Sequence, residues 1–180
     1  MAGITFNVPK REEVSANNQV IFDNLKKALG FVPNTYATMA YSNTALENYL
    51  NFSNGLTSLN KKEKEVVNLV VSEINACDYC LAAHTTISKL NGFSEEQTIE
   101  LRKGTAPFDS KLDALVKFTK EATINKGHVS EATLDNLQKA GYTKTNIIDV
   151  ILAITEISAT NYLNNLTQIP IDFPLGKKLN

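Results

Sequence analysis

The sequence has little of what marks a secreted, membrane-embedded or nucleic-acid-binding protein. Only two of its 180 residues are cysteines. No apolar run approaches the roughly 20 residues that a membrane-spanning helix needs. The formal net charge is −1, whereas non-specific binding of nucleic acid requires a basic surface. We therefore expect neither a membrane nor a nucleic acid among its partners.

The N-terminal residues also lack the charged and apolar regions of a signal peptide. We therefore expect a cytoplasmic protein. In that reducing compartment, a close pair of cysteines is more typical of catalysis or metal binding than of a structural disulfide. The length favours one domain over residues 1–180, with residues 1–13 as an irregular N-terminal arm and residues 170–180 as an extended tail.

Helical patterns cover most of the chain, and no strand or hairpin pattern interrupts them. Residues 14–28 have helical spacing, and Leu46, Tyr49, Leu50 and Phe52 suggest core positions of a later helix. Helix starts are predicted at Asn60, Ser94, Asp109 or Ser110, Ser130 and Thr143. The helix after Asn60 is apolar around most of its circumference, which predicts a buried central helix. The fold class is therefore all-α, a single-domain bundle of many helices.

Two segments of the predicted bundle resemble each other loosely. Residues 60–75 and residues 143–165 each combine a helix start signal with a long apolar helix. Cysteines follow only the first segment. We therefore expect only the first of these helices to carry chemistry at its end.

Cys77, Cys80 and His84 form the most distinctive cluster in the sequence. Residues three and four apart share one face of a helix. The three side chains therefore lie on one side if the turn before Cys80 is helical. The predicted bundle thus carries its Cys-x-x-Cys pair on a central helix. The other histidine, His128, lies in a turn and is expected at the surface.

A Cys-x-x-Cys pair has two main interpretations. In the redox interpretation, one thiolate attacks a substrate and the other thiol resolves the product as a disulfide. Structural zinc usually needs four ligands, whereas this chain offers two cysteines, His84 and at most one carboxylate. Zinc therefore stays an alternative, and we expect neither metal nor cofactor.

Two carboxylates are candidates for partnering His84. Glu73 lies one helical turn from Cys77, while Glu65 lies roughly 18 Å from it along a straight helix. Spacing alone therefore favours Glu73. Glu65 lies on the apolar helix, however, and a buried carboxylate there needs a partner.

Together, Glu65, Cys77, Cys80 and His84 resemble the catalytic pattern of the alkylhydroperoxidase AhpD-like proteins, within the carboxymuconolactone decarboxylase superfamily. The segments 141–143, 161–164 and 170–174 look like the C-terminal part of its peroxidase-related branch. The resemblance covers most of the chain. One residue departs from the pattern, because the best-studied members carry a histidine where Tyr79 stands here.

The resemblance implies an all-helical AhpD-like bundle, homo-oligomers (trimers or hexamers) and reduction of small or lipid hydroperoxides by a dithiol without a cofactor. It implies that Cys80 attacks, that Cys77 resolves, and that His84 and Glu65 relay protons. An external dithiol would reset the pair. A redox-sensing or ligand-binding helical oligomer with little turnover is the alternative from another class, and decarboxylase-type activity is a further alternative.

Geometry on the helix also separates the two thiols. Cys80 lies one turn before His84, so the imidazole can lower its pKa. Cys77 lies nearer the helix start and is expected closer to solvent. The partial positive charge of a helix N-terminus would favour the Cys77 thiolate, but this effect is typically worth only about 0.3–1 kcal/mol. We therefore predict that Cys80 is the thiolate.

Overall fold

The computed structural model describes residues 4–179, which form one helical domain. Within that range there are nine α-helices, a short 3-10 helix at Arg11–Glu13 and no strand. The helices are α1 (Ala16–Leu29), α2 (Asn34–Met39), α3 (Ala45–Gly55), α4 (Lys61–Ile74), α5 (Asp78–Leu90), α6 (Glu95–Lys103), α7 (Ser110–Ile124), α8 (Glu131–Lys139) and α9 (Lys144–Thr167). The predicted all-α fold class is confirmed.

The helix start signals in the sequence work as predicted. Each of the following side chains caps a helix by accepting a hydrogen bond from a backbone N–H group of its first turn: Ser15, Asn60, Ser94, Asp109, Ser130 and Thr143. A capped helix end satisfies donors that would otherwise lack a partner. At Asn60 the Glu63 carboxylate accepts in return from the Asn60 N–H, which completes a capping box.

Helix α4 is the buried centre of the bundle, as its apolar circumference predicted. Val66, Val67, Leu69 and Val71 are fully buried. Helices α5, α6, α7 and α9 pack around it. The outer helix α3 is less buried than expected, since Phe52, predicted as a core residue, is 38% exposed.

A tight turn between α4 and α5 brings distant residues together. Ala76 adopts a left-handed conformation with φ of 50°, and the Cys77 N–H donates to Ser72 O at 3.0 Å. The chain reverses here, and α5 lies back against α4. Because α5 returns along α4, His84 reaches Glu65 although Glu65 and Cys77 lie far apart along the chain. Cys77 lies at the N-cap of α5, and Cys80 lies in its first turn.

Both chain ends pack near the cysteines. Phe6 and Val8 of the N-terminal arm, together with Ile171 and Phe173 of the tail, lie against the cluster that contains Cys77. The tail therefore covers the start of α5 on the side of the cysteine pair. None of the helices within residues 4–179 is long and apolar enough to cross a membrane.

Candidate active site

Cys77 and Cys80 form a disulfide, with their Cα atoms 5.3 Å apart. The Cys80 N–H donates to the Cys77 Sγ at 3.3 Å, so the Cys77 side chain caps α5. This arrangement follows from the three-residue spacing at a helix start. A sulfur at an N-cap accepts a backbone donor that the helix itself leaves free.

Both cysteines are buried, Cys77 at 0% exposure and Cys80 at 2%. The expectation that Cys77 lies closer to solvent is therefore wrong, because the arm and the tail cover the start of α5. Cys80, but not Cys77, lines a mostly apolar cavity of about 590 Å³. Access from this cavity therefore leads to Cys80.

Partly buried His84 and buried Glu65 form a pair that lines the same cavity. The His84 Nδ1 lies 2.9 Å from Glu65 Oε2, and Glu65 is 6% exposed. The other oxygen of Glu65, Oε1, accepts from Asn68 Nδ2 at 3.1 Å. Both carboxylate oxygens therefore have partners, which offsets the cost of burying the charge.

The environment of His84 favours its protonated form. Burial alone would lower the pKa of the imidazole, but the Glu65 carboxylate raises it through its charge and its hydrogen bond, and Glu156 adds to this. The net pKa lies above the ordinary value of 6.5. His84 therefore holds a proton next to the cavity more readily than a free imidazole does.

The alternative partner, Glu73, is engaged elsewhere. Arg102 Nε donates to Glu73 Oε2 at 2.7 Å, and Arg102 Nη1 donates to Lys177 O at 2.5 Å. Glu73 therefore anchors the tail through Arg102 and does not contact His84. Of the two candidates, the structure brings only Glu65 to the imidazole.

Two side chains of α9 contact the Cys80 sulfur, and the sequence analysis did not identify them. Asn164 Nδ2 donates to Cys80 Sγ at 3.4 Å, and Thr160 Oγ1 lies 4.0 Å from it. With Glu156, these residues recur at every fourth position of α9. Such a polar stripe was the signal available in the sequence, since residues four apart share a helix face.

Glu156 is a second buried carboxylate in the cavity, at 8% exposure. The Tyr49 hydroxyl donates to Glu156 Oε1. The ring of Tyr36 lies 6.0 Å from that of Tyr49. Burial, with the nearby Glu156 and Glu65 carboxylates, raises the pKa of Tyr36 to about 12, so Tyr36 stays a neutral hydrogen-bond donor at neutral pH.

Tyr79, between the two cysteines, ties the tail to the site. Its hydroxyl donates to Asp172 Oδ1 at 2.6 Å and accepts from the Thr35 N–H at 3.2 Å. The other oxygen of Asp172 accepts from the Asn34 N–H at 2.8 Å. Burial, followed by the hydrogen bond to Asp172, raises the pKa of Tyr79. Tyr79 is therefore a neutral structural contact here and not a second imidazole.

The remaining candidates lie outside this site. His128 is exposed, as predicted. Within residues 4–179, no group of three or more His, Cys, Asp or Glu side chains is arranged to hold a metal ion.

Comparison with known proteins agrees with the motif. Residues 43–121 match the family model of the carboxymuconolactone decarboxylase family. This segment contains Glu65, Cys77, Cys80 and His84, whereas the α9 residues lie outside it. No curated protein matches the chain.

Several solved structures share the fold. An uncharacterized peroxidase-related protein from Silicibacter sp. TM1040 has a TM-score of 0.82 and 24% identity, over 92% of this chain and 90% of that chain. The alkylhydroperoxidase AhpD core of an uncharacterized peroxidase-related protein from Ralstonia eutropha JMP134 has a TM-score of 0.84 and 20% identity, over 93% and 91%. A variant of the debrominase Bmp8, in complex with 2,3,4-tribromopyrrole, has a TM-score of 0.77 and 15% identity, over 96% and 93%.

The solved structures share the fold of this chain. The family model matches the segment that contains the four motif residues. The match over residues 43–121 confirms the predicted resemblance to the carboxymuconolactone decarboxylase family, and the solved structures confirm the predicted AhpD-like fold.

Proposed function

We propose that the protein is a thiol-dependent hydroperoxide reductase that cycles between a Cys77/Cys80 dithiol and the disulfide. The observation that carries this proposal is that Cys80 and the His84–Glu65 pair line one cavity. A nucleophilic sulfur and a protonated imidazole in one enclosed space are the two groups that peroxide reduction needs.

In the first step, the Cys80 thiolate attacks the terminal oxygen of the hydroperoxide. The sulfur–oxygen bond forms as the oxygen–oxygen bond breaks, and the alkoxide takes a proton from the His84 imidazolium and leaves as an alcohol. Cys80 is then a sulfenic acid. Glu65 holds the imidazole in place and stabilises its charge.

In the second step, the Cys77 sulfur attacks the Cys80 sulfur. The disulfide forms as the sulfur–oxygen bond breaks, and the departing oxygen takes the Cys77 thiol proton through His84 and leaves as water. An external dithiol then reduces the disulfide and becomes a disulfide itself. We place this cycle in the cytoplasm, where such dithiols are kept reduced.

The test is a titration of fully reduced protein with cumene hydroperoxide, counting free thiols and residual peroxide. We expect one equivalent of peroxide to be consumed for each two thiols lost. If both thiols persist while the peroxide is untouched, the redox assignment fails.

A redox sensor is the second candidate, and the burial of the disulfide favours it. Because the arm and tail cover Cys77, a large protein dithiol cannot reach the disulfide without moving them. Slow turnover with every dithiol tested, together with complete oxidation of Cys77 and Cys80, would support the sensor over the peroxidase.

We also propose that the protein forms a homo-oligomer. The outer face of α9 exposes an apolar stripe at helical spacing, with Ile148, Leu152, Tyr162 and Leu166 at its ends. A second copy of the chain would bury this stripe. We expect light scattering to give a mass well above 19.8 kDa, and Leu166→Asp to lower it. A native mass near that of the monomer would contradict the proposal.

A further inference from the structure

Glu156 is a buried carboxylate that the peroxide cycle does not use. It lines the cavity beside Cys80, and the Tyr49 hydroxyl satisfies only its Oε1. Within residues 4–179, no lysine, arginine or histidine forms an ion pair with it. A buried carboxylate costs free energy unless it is paired and hydrogen-bonded. Its second oxygen is therefore a vacant acceptor next to the cavity.

The Tyr36 hydroxyl is a vacant donor in the same part of the cavity. Tyr36 lines the cavity and packs beside Tyr49, with ring centroids 6.0 Å apart. No hydrogen bond to its hydroxyl occurs in the described part of the chain. Glu156 and Tyr36 together thus offer an acceptor and a donor to one polar group of a ligand.

The spacing along α9 sets the distance between this polar pair and the reacting sulfur. Thr160 lies beside Cys80 Sγ, and Glu156 lies four residues earlier on the same helix. Four residues rise roughly 6 Å along an α-helix. A ligand that presents its peroxide to Cys80 can therefore place a second polar group about one helical turn away.

The charges around the cavity select the sign of that group. Three carboxylates line the cavity, those of Glu65, Glu156 and Asp172. Two lining side chains can be cations, Lys64 and His84. The cavity is therefore negative even when His84 is protonated. An anionic group next to Glu156 would be repelled, whereas a donor or a cation would be attracted.

Resting on the proposed peroxidase function, we propose that the substrates are organic hydroperoxides that carry a neutral or cationic hydrogen-bond donor, such as a hydroxyl or an ammonium group. Glu156 and Tyr36 bind this group, and the mostly apolar remainder of the cavity holds the hydrocarbon between it and the peroxide. Hydroperoxides of free fatty acids are poor substrates, because Glu156 repels the carboxylate that they carry.

Binding to the oxidised protein tests this assignment without any turnover, because the disulfide form has no thiol to react. The probes are three derivatives of 2-phenylpropan-2-ol, the alcohol that cumene hydroperoxide leaves on reduction. They carry aminomethyl, hydroxymethyl or carboxylate at the para position. By calorimetry, we expect the amine and the alcohol to bind at least about tenfold more tightly than the carboxylate, since hydrogen bonds to charged groups are strong.

Two variants identify the groups responsible. Glu156→Gln should bring the three affinities to within about threefold of one another, since the charge that separates them is gone. Glu131→Gln makes the same charge change on the exposed face of α8 and should keep the native order. Tyr36→Phe should weaken binding of the hydroxymethyl probe by less than about tenfold, and it provides a test if Glu156→Gln does not fold.

The proposal is overturned if the carboxylate binds the native protein as tightly as the amine, or if none of the three probes binds at millimolar concentration. It is also overturned if the folded variants keep the native order and affinities. Peroxide consumption by the reduced protein is measured separately. If the peroxide stays untouched while the binding order holds, the peroxidase function fails and the ligand assignment stands.

Discussion

Two carboxylates, Glu65 on α4 and Glu156 on α9, are buried to nearly the same extent in one cavity, at 6% and 8% exposure. Glu65 has partners on both oxygens, Asn68 and His84. Within residues 4–179, the hydrogen-bond partner of Glu156 is the Tyr49 hydroxyl alone. Burial alone therefore does not assign a role to a buried acid. The partner distinguishes them, since Glu65 contacts the His84 imidazole, whereas we proposed Glu156 as a binding group for a ligand.

The helices that carry these carboxylates differ less than the sequence suggested. Both begin with a capping box, and both contribute buried residues to the core. We expected only the first to carry chemistry at its end, but side chains of both helices lie at the site. Helix α4 supplies the carboxylate for His84, while α9 supplies Asn164 and Thr160, the side chains that contact the Cys80 sulfur.

We expect the largest effect at Cys80, which shares the cavity with Glu65 of α4 and contacts Asn164 of α9. Cys80→Ser should abolish peroxide consumption, because the attacking sulfur is lost. Cys77→Ser should still consume about one equivalent and stop at a sulfenic acid on Cys80. The measurement is peroxide loss per protein, with trapping of the sulfenic acid by dimedone and mass spectrometry.

The competing influence on the thiols is the N-terminus of α5, because Cys77 Sγ accepts the Cys80 N–H. A helix N-terminus lowers the pKa of a nearby thiol. Alkylation of the two single variants across pH compares this effect with that of His84 on Cys80. If Cys77 alkylates at the lower pH, their roles are the reverse of those proposed.

The fold could be predicted almost completely from local signals. The caps at Asn60, Ser94, Asp109, Ser130 and Thr143 each act within one turn, so single-sequence patterns contain them. Glu65 could be chosen over Glu73 only through the family resemblance. Its contact with His84 depends on the reversal at Ala76, which helix spacing alone does not encode.

The rest of the site depends on contacts between distant segments. Asn164 meets Cys80 across 84 residues of sequence, and Asp172 meets Tyr79 across 93. No local pattern specifies which buried face will meet which. The same reason explains the error on Cys77, since its burial comes from the arm and tail and not from its own helix.

The next largest effect is expected at Glu65. Glu65→Gln removes the charge of this carboxylate and leaves that of Glu156 in place. His84 would lose its main anionic partner while staying buried, so its pKa should fall. Hydrogen bonds to charged groups are worth roughly 1.5–3 kcal/mol, so we expect kcat/KM to fall roughly 10- to 100-fold. Glu131→Gln on the surface is the matched control and should leave the rate unchanged.

The effect of Glu65→Gln on the free energy of unfolding should depend on pH. Because folding raises the His84 pKa, protonation of His84 stabilises the native protein below the unfolded-state value of about 6.5. This contribution is lost as the pH rises through the folded pKa. The stability difference between native protein and Glu65→Gln should therefore shrink with rising pH.

Proton NMR can follow the two histidines separately, with exposed His128 as the internal reference. A His84 pKa that stays unchanged in Glu65→Gln would mean that the ion pair does not control the imidazole.

The smallest effect is expected at Asn164, and it distinguishes a contact with the thiolate from a contact with the proton relay. Asn164 Nδ2 donates to Cys80 Sγ at 3.4 Å, while its buried Oδ1 has no hydrogen-bond partner within residues 4–179. Asn164→Leu removes a donor to the thiolate, so the Cys80 pKa should rise by less than about one unit, the equivalent of about 1.4 kcal/mol.

The stability of Asn164→Leu should change in the opposite sense to that of Glu65→Gln. Leucine has the same branched arrangement of side-chain heavy atoms, its larger methyl groups can extend into the cavity that Asn164 lines, and it removes the unsatisfied oxygen, so the free energy of unfolding should be unchanged or slightly higher. Urea unfolding of the reduced proteins measures this, and alkylation of Cys80 in the Cys77→Ser background measures the thiol pKa. A loss of stability as large as that of Glu65→Gln would show that the asparagine holds α9 against α5, and that its contact with the sulfur is secondary.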